Sequence, residues 1–503
     1  MNEPMTRPGL PVEPRESNER AQTPAKLLIS AAVFGAAFSY LFAFQRPGLN
    51  MFLFVLLLYG FALVNRELFI RRSFAEERLI AFLTVPAVFL AAYMFIGDTF
   101  LNALSVLVIL FVMFVQYLVL SGNAKHEWYR PLFIVDIFFG AINRLFFGMG
   151  HFLNGSVNAV FLGKSEKKKG VMIGILAGTL LLMLIVPLLL MADPIFSGIA
   201  GDLFADIRIG DIFLYLFLFI TGASMAAAPV ATAKRSEYTG KREAVLSPEK
   251  RPVEGVTSGT ILSMISAVYV LFAAVQFTYF FEPMETVAKT LGLTSSRYAV
   301  RGFGELLFIT CLNLAIIAAA LRFTKQQNGR TKGYIKALCC VLVAFNFVIM
   351  ASSHLRLSHY ESSYGYSVAR FISHSFMVFL IIVNALMLLK IFIGKMSAVK
   401  YIALAALLYF CALVAINPES AVARGNIRRY YASGKIDTEY MLSLSSGAVC
   451  EACDFLKENP GLLDEDTRKA AMRRLTDYAR RNGGWQSLNL ADETAYKKLR
   501  ELL

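Results

Sequence analysis

The chain is predicted to be an all-α polytopic membrane protein of about 11 transmembrane helices, with a small extracytoplasmic helical domain at its C-terminus. Three observations predict this. Eleven apolar stretches of near-spanning length recur between Leu27 and Ile416. The loops between them are by turns rich and poor in Lys and Arg. From Asn417 onward the long apolar runs stop and charge becomes balanced, with 14 Lys and Arg against 13 Asp and Glu. A composition that is 56% hydrophobic and 17% charged over 503 residues agrees with this class and would be unusual for a soluble chain.

A hydrocarbon core about 30 Å thick needs roughly 17–25 apolar residues per helix. The expected spans are Leu27–Phe44, Leu49–Val64, Leu79–Ile96, Phe100–Leu120, Val171–Ala192, Ile212–Ala231, Thr260–Phe280, Phe303–Leu321, Ile335–Ala351, Phe371–Leu389 and Val399–Ile416. Alternate loops on one side of this series hold 29 Lys and Arg, and those on the other side hold 7. Positive charge stays with short cytoplasmic loops, so the N-terminus is expected inside and the C-terminus outside a cell membrane. The net charge of +14 is then mostly topology and attraction to anionic lipid, and nucleic-acid binding is the wrong reading of it. The lipid bilayer is the first expected partner.

Residues 1–24 are polar, carry Pro8, Pro11 and Pro14, and read as a disordered cytoplasmic tail with no cleavable signal. The region 25–416 is expected to be the transmembrane domain. Within it Pro131–Leu153 is long enough to cross, yet it carries Asp136, Asn143, Arg144 and His151 near one helical stripe with Gly140. It is expected to lie in the interface, because a crossing there would invert the charge alternation downstream. The region 417–503 is punctuated as helices. Asp437 is placed to cap a helix through Leu444, Ser446 to cap Gly447–Glu458 and Asp464 to open Glu465–Arg481, with Leu490–Leu502 last. This domain is the expected site for envelope protein partners.

Several motifs resemble those of a bacterial multi-pass membrane family defined only as domain of unknown function four-one-seven-three, close to domain of unknown function four-one-five-three. They are Ala192-Asp193-Pro194-Ile195-Phe196, the run from Tyr298 to Leu306, Arg356-Leu357-Ser358-His359-Tyr360-Glu361 with Tyr364-Gly365-Tyr366 and Arg370, and Asn417-Pro418-Glu419. Ala423-Arg424-Gly425-Asn426-Ile427 and Gly434-Lys435-Ile436-Asp437 with Tyr440 complete the set. The chain departs from the family where Gly447-Ala448-Val449-Cys450 stands in place of an Asp-Ala-Val-Pro stretch. The resemblance implies the class and carries no catalytic role.

The polar residues of those motifs cluster at the outer ends of the expected helices. Asp193, Arg297, Tyr298, Arg301, Glu305, Arg356, Tyr360, Glu361 and Arg370 form a candidate outer-face cluster, with Tyr364 beside it. Arg301 and Glu305 are four apart and can pair along one face, and a carboxylate just inside an apolar run needs a partner such as Arg301 or Arg370. The bland reading is a set of interface pairs locking helix ends together. His354, His359 and His374 with Glu361 match no standard metal spacing, so no metal is expected. Cys450 and Cys453 form a C-x-x-C, a candidate redox or disulfide pair in a compartment where disulfides persist, although no thioredoxin-type strand surrounds it.

No nucleotide-binding loop, zinc-protease motif or nucleophile elbow occurs, so no cofactor and no catalytic residue is expected. The span interiors carry only a thin polar set: Gln116, Gln276, Asn313, Asn346, His374 and Asn384. The leading expectation is therefore a non-enzymatic envelope sensor or scaffold. One alternative is a permease for a neutral or lipidic substrate, using Asn313, Asn346, His374 and Asn384. Another is a membrane enzyme acting on a lipid-linked substrate through Glu305, Arg301 and Arg370.

Overall fold

The computed structural model describes residues 25–69, 78–121, 126–130, 132–141, 209–233, 253–279, 295–325, 329–394, 396–481 and 483–503, with isolated positions between them. The tail 1–24, Asp193, Asn143, Arg144, His151 and most of the fifth expected span lie outside the described residues, as do the side chains of Arg297, Tyr298, Arg301 and Glu305.

The described chain is helical, as expected, with no strand among the described residues and one isolated bridge between Val253 and Thr324. In chain order the main helices are α1 (Ala25–Phe42), α2 (Leu49–Val64), α3 (Thr84–Ile96), α4 (Asn102–Leu120), α5 (Phe133–Ala141), α6 (Ile209–Ala233), α7 (Gly255–Tyr279) and α8 (Ser295–Phe323). Then come α9 (Gly329–Tyr364), α10 (Val368–Phe392), α11 (Ala398–Ile416), α12 (Pro418–Ser433), α13 (Thr438–Ser443), α14 (Ser446–Glu458), α15 (Glu465–Ala479) and α16 (Leu490–Leu502). Six described helical segments are long and apolar enough to cross a membrane: Arg78–Ile96, Asn102–Leu120, Gly255–Phe272, Gly329–Ser362, Val368–Phe392 and Ala398–Ile416. Shorter apolar helices cover Lys26–Phe42, Leu49–Val64, Leu214–Ala227 and Leu307–Phe323. Their outward faces carry large apolar side chains such as Leu107, Val268, Leu271 and Phe308, all more than 60% exposed, which is what lipid rather than water tolerates.

The chain divides into two compact units, Met1–Tyr40 with Ala141–Arg235, and Leu41–Gly140 with Ser236–Leu503. In the first, α1 and α6 approach until backbone touches side chain: a Cβ on Gly35 would lie 2.6 Å from the Phe219 carbonyl oxygen, and one on Gly222 would lie 2.8 Å from the Phe38 ring. Small residues permit such contact between apolar helices. The second unit holds everything described below.

Within it, one ladder of side chains crosses four helices. Tyr269 Oη on α7 donates to Asn313 Oδ1 on α8 at 2.6 Å, Asn313 Nδ2 donates to Asn346 Oδ1 on α9 at 2.7 Å, and Asn346 Nδ2 donates to Asn384 Oδ1 on α10 at 2.9 Å. Asn384 Nδ2 ends the ladder on the Leu380 carbonyl at 2.8 Å. Leu262, Ile317, Leu342, Val343, Met387 and Ile391 pack an apolar core among the same helices.

The structure revises one expectation. The ninth span was expected to end at Ala351 and give way to a loop, but α9 continues without a break to Tyr364. No Gly or Pro interrupts Val341–Tyr364, and polar side chains alone do not stop a helix that has neighbours to pack on. α5 is the described part of the interfacial segment, and Asp136 is the charged residue of its expected stripe among the described residues. Its carboxylate accepts from His126 N at 2.7 Å and contacts His126 Nδ1 at 3.1 Å, while Ile134, Phe138 and Phe139 form the exposed face.

The C-terminal helices form where their caps dictate. Asn417, Asp437, Asp464 and Asn489 each accept from a backbone N–H in the first turn of α12, α13, α15 and α16, at 3.2, 2.8, 2.8 and 3.0 Å. Such caps each stabilise a helix by about 1 kcal/mol. The apolar stripes of these helices meet in one core around Val422, Met441, Leu442, Val449, Leu456 and Leu499. Val368 and Phe371 at the start of α10 pack against the same core, so the C-terminal layer and the end of a membrane-length helix share apolar contacts.

Candidate functional site

Polar chemistry in the second unit concentrates in two places, both where the C-terminal helices meet the ends of the long apolar ones. The first is a joint built on the short α3–α4 loop. Glu419, in the first turn of α12, is buried and receives two backbone N–H groups, Phe100 N at 3.0 Å and Ser445 N at 3.1 Å. Asn417 Nδ2 donates to the Asp98 carbonyl at 2.9 Å, and Asn489 Nδ2 donates to the Met94 and Gly97 carbonyls at 2.9 and 2.8 Å. Ser446 is the hub. Its Oγ lies 3.1 Å from Asp98 Oδ2 and 2.7 Å from Tyr478 Oη, and also bonds Asp492 Oδ1. The hydroxyl has one proton for two carboxylates, so Tyr478 must supply its own. Arg481 Nη1 closes the cluster on Asp492 Oδ2 at 2.7 Å.

Burial governs the electrostatics here. It pushes the Glu419 carboxyl above the ordinary carboxylate range, with the Asp98 charge adding to the shift and the Phe100 and Ser445 bonds partly offsetting it. It pushes the Tyr478 phenol up to about 12, so Tyr478 stays a proton donor.

The second place is the α9–α10 turn. Gly365 has φ +84°, a conformation that favours glycine, and it lets the chain reverse directly from α9 into α10. Its carbonyl accepts from Arg370 Nη1, and the Arg370 guanidinium stacks 4.1 Å over the Tyr360 ring. One helical turn further from the loop, Glu361 Oε2 lies 3.1 Å from His374 Nε2, and His374 Nδ1 lies 3.0 Å from His354 Nδ1. The turn is held from above by α12: Tyr366 N donates to Asn426 Oδ1 and Asn426 Nδ2 donates to the Tyr366 carbonyl, both at 3.0 Å. Tyr440 Oη accepts from Val368 N at 3.2 Å.

Of the expected outer-face cluster the structure brings Tyr360 and Arg370 together, pairs Glu361 with His374, and sets Arg356 half-buried on the same helix as Tyr360 and Glu361. Arg297, Tyr298, Arg301 and Glu305 lie on the backbone of α8, and Asp193 lies outside the described residues. Arg370 is engaged by Gly365 and Tyr360. No group of three or more His, Cys, Asp or Glu with metal-holding geometry occurs among the described residues. Cys450 and Cys453, on α14, are free thiols in this structure, so the expected disulfide is not formed there. A rotation of about 100° per residue points side chains three apart roughly 60° away from each other. Cys453 faces the core, where burial pushes its thiol up to about 12, and burial raises Cys450 as well. Both shifts oppose the activated thiolate that redox chemistry needs.

Sequence reasoning missed the joint. Asn417 and Glu419 stand in a family-like motif, Ser446 reads only as a helix cap, and Asp492 gives no signal. A short loop carrying Asp beside Thr between two apolar helices was the one available hint. His354 entered only as a possible metal ligand, and His374 as a metal ligand or a polar residue of the permease alternative.

No curated protein and no solved structure matches the chain. A family profile does match, over residues 79–452, and the matched stretch contains the whole α9–α10 turn and all of the joint except Tyr478, Arg481, Asn489 and Asp492. Of the two families that the motifs resemble, the match is to the second, so the chain belongs to the family described as Domain of unknown function (DUF4153).

Proposed function

We propose that this membrane protein is a non-enzymatic envelope sensor or scaffold of a cell membrane, with its N-terminus cytoplasmic and its C-terminal helices 417–503 outside. The count of 29 against 7 basic residues in alternate loops supports the orientation. One observation carries the scaffold reading. The C-terminal layer is seated by hydrogen bonds on three separate helix connections: α1–α2 through Gln45 and Leu49, α3–α4 through Asp98 and Phe100, and α9–α10 through Tyr366 and Val368. A layer tied at three points holds those helix ends in fixed register and offers its outer surface, with exposed Tyr431 and Met472, to envelope protein partners. The permease alternative relies on Asn313, Asn346, His374 and Asn384; the three amides are spent on one another, and His374 is engaged by Glu361 and His354.

Complementation of a deletion strain separates these readings. One variant breaks the joint (Asp98→Asn with Ser446→Ala), and another replaces the ladder (Asn313→Leu, Asn346→Leu, Asn384→Leu with Tyr269→Phe). At matched expression the scaffold reading expects loss with the first and retention with the second. The reverse pattern overturns it in favour of transport. Reporter fusions at Gly329 and Leu503 should give opposite topology signals, and equal signals overturn the orientation.

A further inference from the structure

The contact between exposed His354 and half-buried His374 has a property that most side-chain pairs lack: it fixes a proton count. Two imidazole Nδ1 atoms 3.0 Å apart can share one hydrogen, no more. His374 Nε2 faces a carboxylate oxygen of Glu361, which only accepts when ionised, so that nitrogen carries a hydrogen. In the neutral pair the shared hydrogen therefore sits on His354 Nδ1 and points at the His374 Nδ1 lone pair. One added proton is accommodated: His374 becomes imidazolium beside Glu361 and donates to His354, which shifts to its other tautomer. A second added proton is not accommodated. Both Nδ1 atoms would then carry hydrogens pointing at each other, on two cations with ring centroids 4.8 Å apart.

We propose that Glu361, His374 and His354 form a proton-operated clasp between α9 and α10, closed by one shared hydrogen and opened when both imidazoles are protonated. The surroundings favour opening over retention of the second proton. From α9 itself Arg356 and His359 lie near this end, α10 contributes Arg370, and α12 contributes Arg429, whose Nη2 reaches the Ser362 carbonyl at 3.4 Å. From α11, Tyr409 Oη bonds Ser375 beside His374 at 2.9 Å. The matching end of α8 carries Arg297, Arg301 and Glu305 in its sequence. Guanidinium groups stay charged at any relevant pH, so the local field is positive apart from the carboxylates.

The position gives the clasp an output. It joins the two helices immediately behind the Gly365 turn, and that turn is what Asn426 and Tyr440 grip from the C-terminal layer. Opening α9 from α10 loosens one of the three seats of that layer. Imidazoles exchange protons between about pH 5 and 8, so acidification is the signal that this element reads. The inference deepens the sensing reading above by naming its signal.

Hydrogen exchange over residues 362–372 of the full-length protein in lipid nanodiscs tests it, with rates corrected for the intrinsic pH dependence. An opening that takes up one proton changes its equilibrium constant about tenfold per pH unit, so protection should fall by about tenfold or more between pH 7 and 5. His354→Phe leaves a single imidazole with no proton conflict and should flatten the profile. Glu361→Gln withdraws support from the singly protonated form and should move the transition toward neutral pH. Cys450→Val, at a half-buried position of α14 outside the clasp and the joint, should leave it in place. A flat profile in the unmodified protein overturns the clasp and leaves the scaffold reading standing. An unchanged transition in His354→Phe overturns it as well.

Discussion

The amide ladder of α7–α10 and the joint under the C-terminal layer are both buried polar networks, yet they are built on opposite terms. The ladder is neutral, side chain to side chain, and closes on itself with a single exit to the Leu380 carbonyl. The joint is ionisable and mostly side chain to backbone, with Glu419, Asn417 and Asn489 gripping the main chain of other elements. The environments explain the difference. Among membrane-length helices a charge is costly and every backbone group is already satisfied within its helix, so amides bonding one another are the affordable polar contact. Helix ends and loops have free N–H and C=O groups, and a carboxylate that collects two N–H donors offsets part of the cost of its burial. The ladder sets which helices are neighbours, whereas the joint sets where a separate layer sits.

The largest expected effect comes from cutting the joint at its carboxylate. Glu419→Ala strands Phe100 N and Ser445 N in a buried site, at about 1–3 kcal/mol for each donor. Thermal unfolding and protease protection of the C-terminal layer should both show the loss. The same residue predicts a pH slope. Its folded-state carboxyl is raised above the ordinary value of 4.5, mainly by burial, so the folded protein holds more protons than the unfolded one in the window just above that value. Stability from this group is therefore greatest at acid pH and declines as pH rises through that window. Glu419→Ala should abolish this slope. A variant that keeps full stability at neutral pH would show that the joint does not hold the C-terminal layer in place.

The ladder should respond more gently, and non-additively. Asn346→Leu leaves Asn313 Nδ2 and Asn384 Oδ1 without each other's bridge, and hydrogen bonds between membrane helices are worth about 0.6 kcal/mol on average and up to about 1.7. Adding Asn313→Leu, Asn384→Leu and Tyr269→Phe removes every orphan, and part of the loss should return, read as the interaction term of a mutant cycle in detergent unfolding. Strictly additive losses would mean that the four residues act separately and not as one unit.

How far the two networks were legible in the sequence follows from the same physics. Asn313, Asn346 and Asn384 stand out because each is a polar residue alone in an apolar run, and the cost of burying it predicts a partner. Asp437, Asp464 and the break before Leu490 are legible because capping is local. Ser446 shows where locality ends. It reads as a cap, but Ser445 precedes α14 and the Ser446 hydroxyl serves Asp98 and Asp492, 348 and 46 residues away in sequence. Similarly, α9 reads as ending at Ala351 because polarity rises there, although the first true breaker is Gly365. Pairings across such separations depend on packing that no window of residues contains.

The smallest effect is expected at Cys450 and Cys453, which lie in the layer and in neither network. Cys453 is fully buried among Ala448, Val449, Ala452 and Leu456, so it acts as a small apolar filler. Cys453→Ala removes one sulfur atom from that core and should cost roughly 1 kcal/mol, while Cys450→Val at the half-buried position should be nearly neutral. Chemistry distinguishes a filler from a redox pair more sharply than stability does. A thiol pushed up to about 12 has almost no thiolate at neutral pH, so Cys453 should resist alkylation in the folded protein and react only after denaturation. Cys450, also raised, should react slowly. Mass spectrometry of protein purified without reductant should then find both thiols free. Finding them joined would place this end of α14 in a different local geometry from the one described, and fast alkylation of Cys450 in the native state would restore the redox reading that its burial argues against.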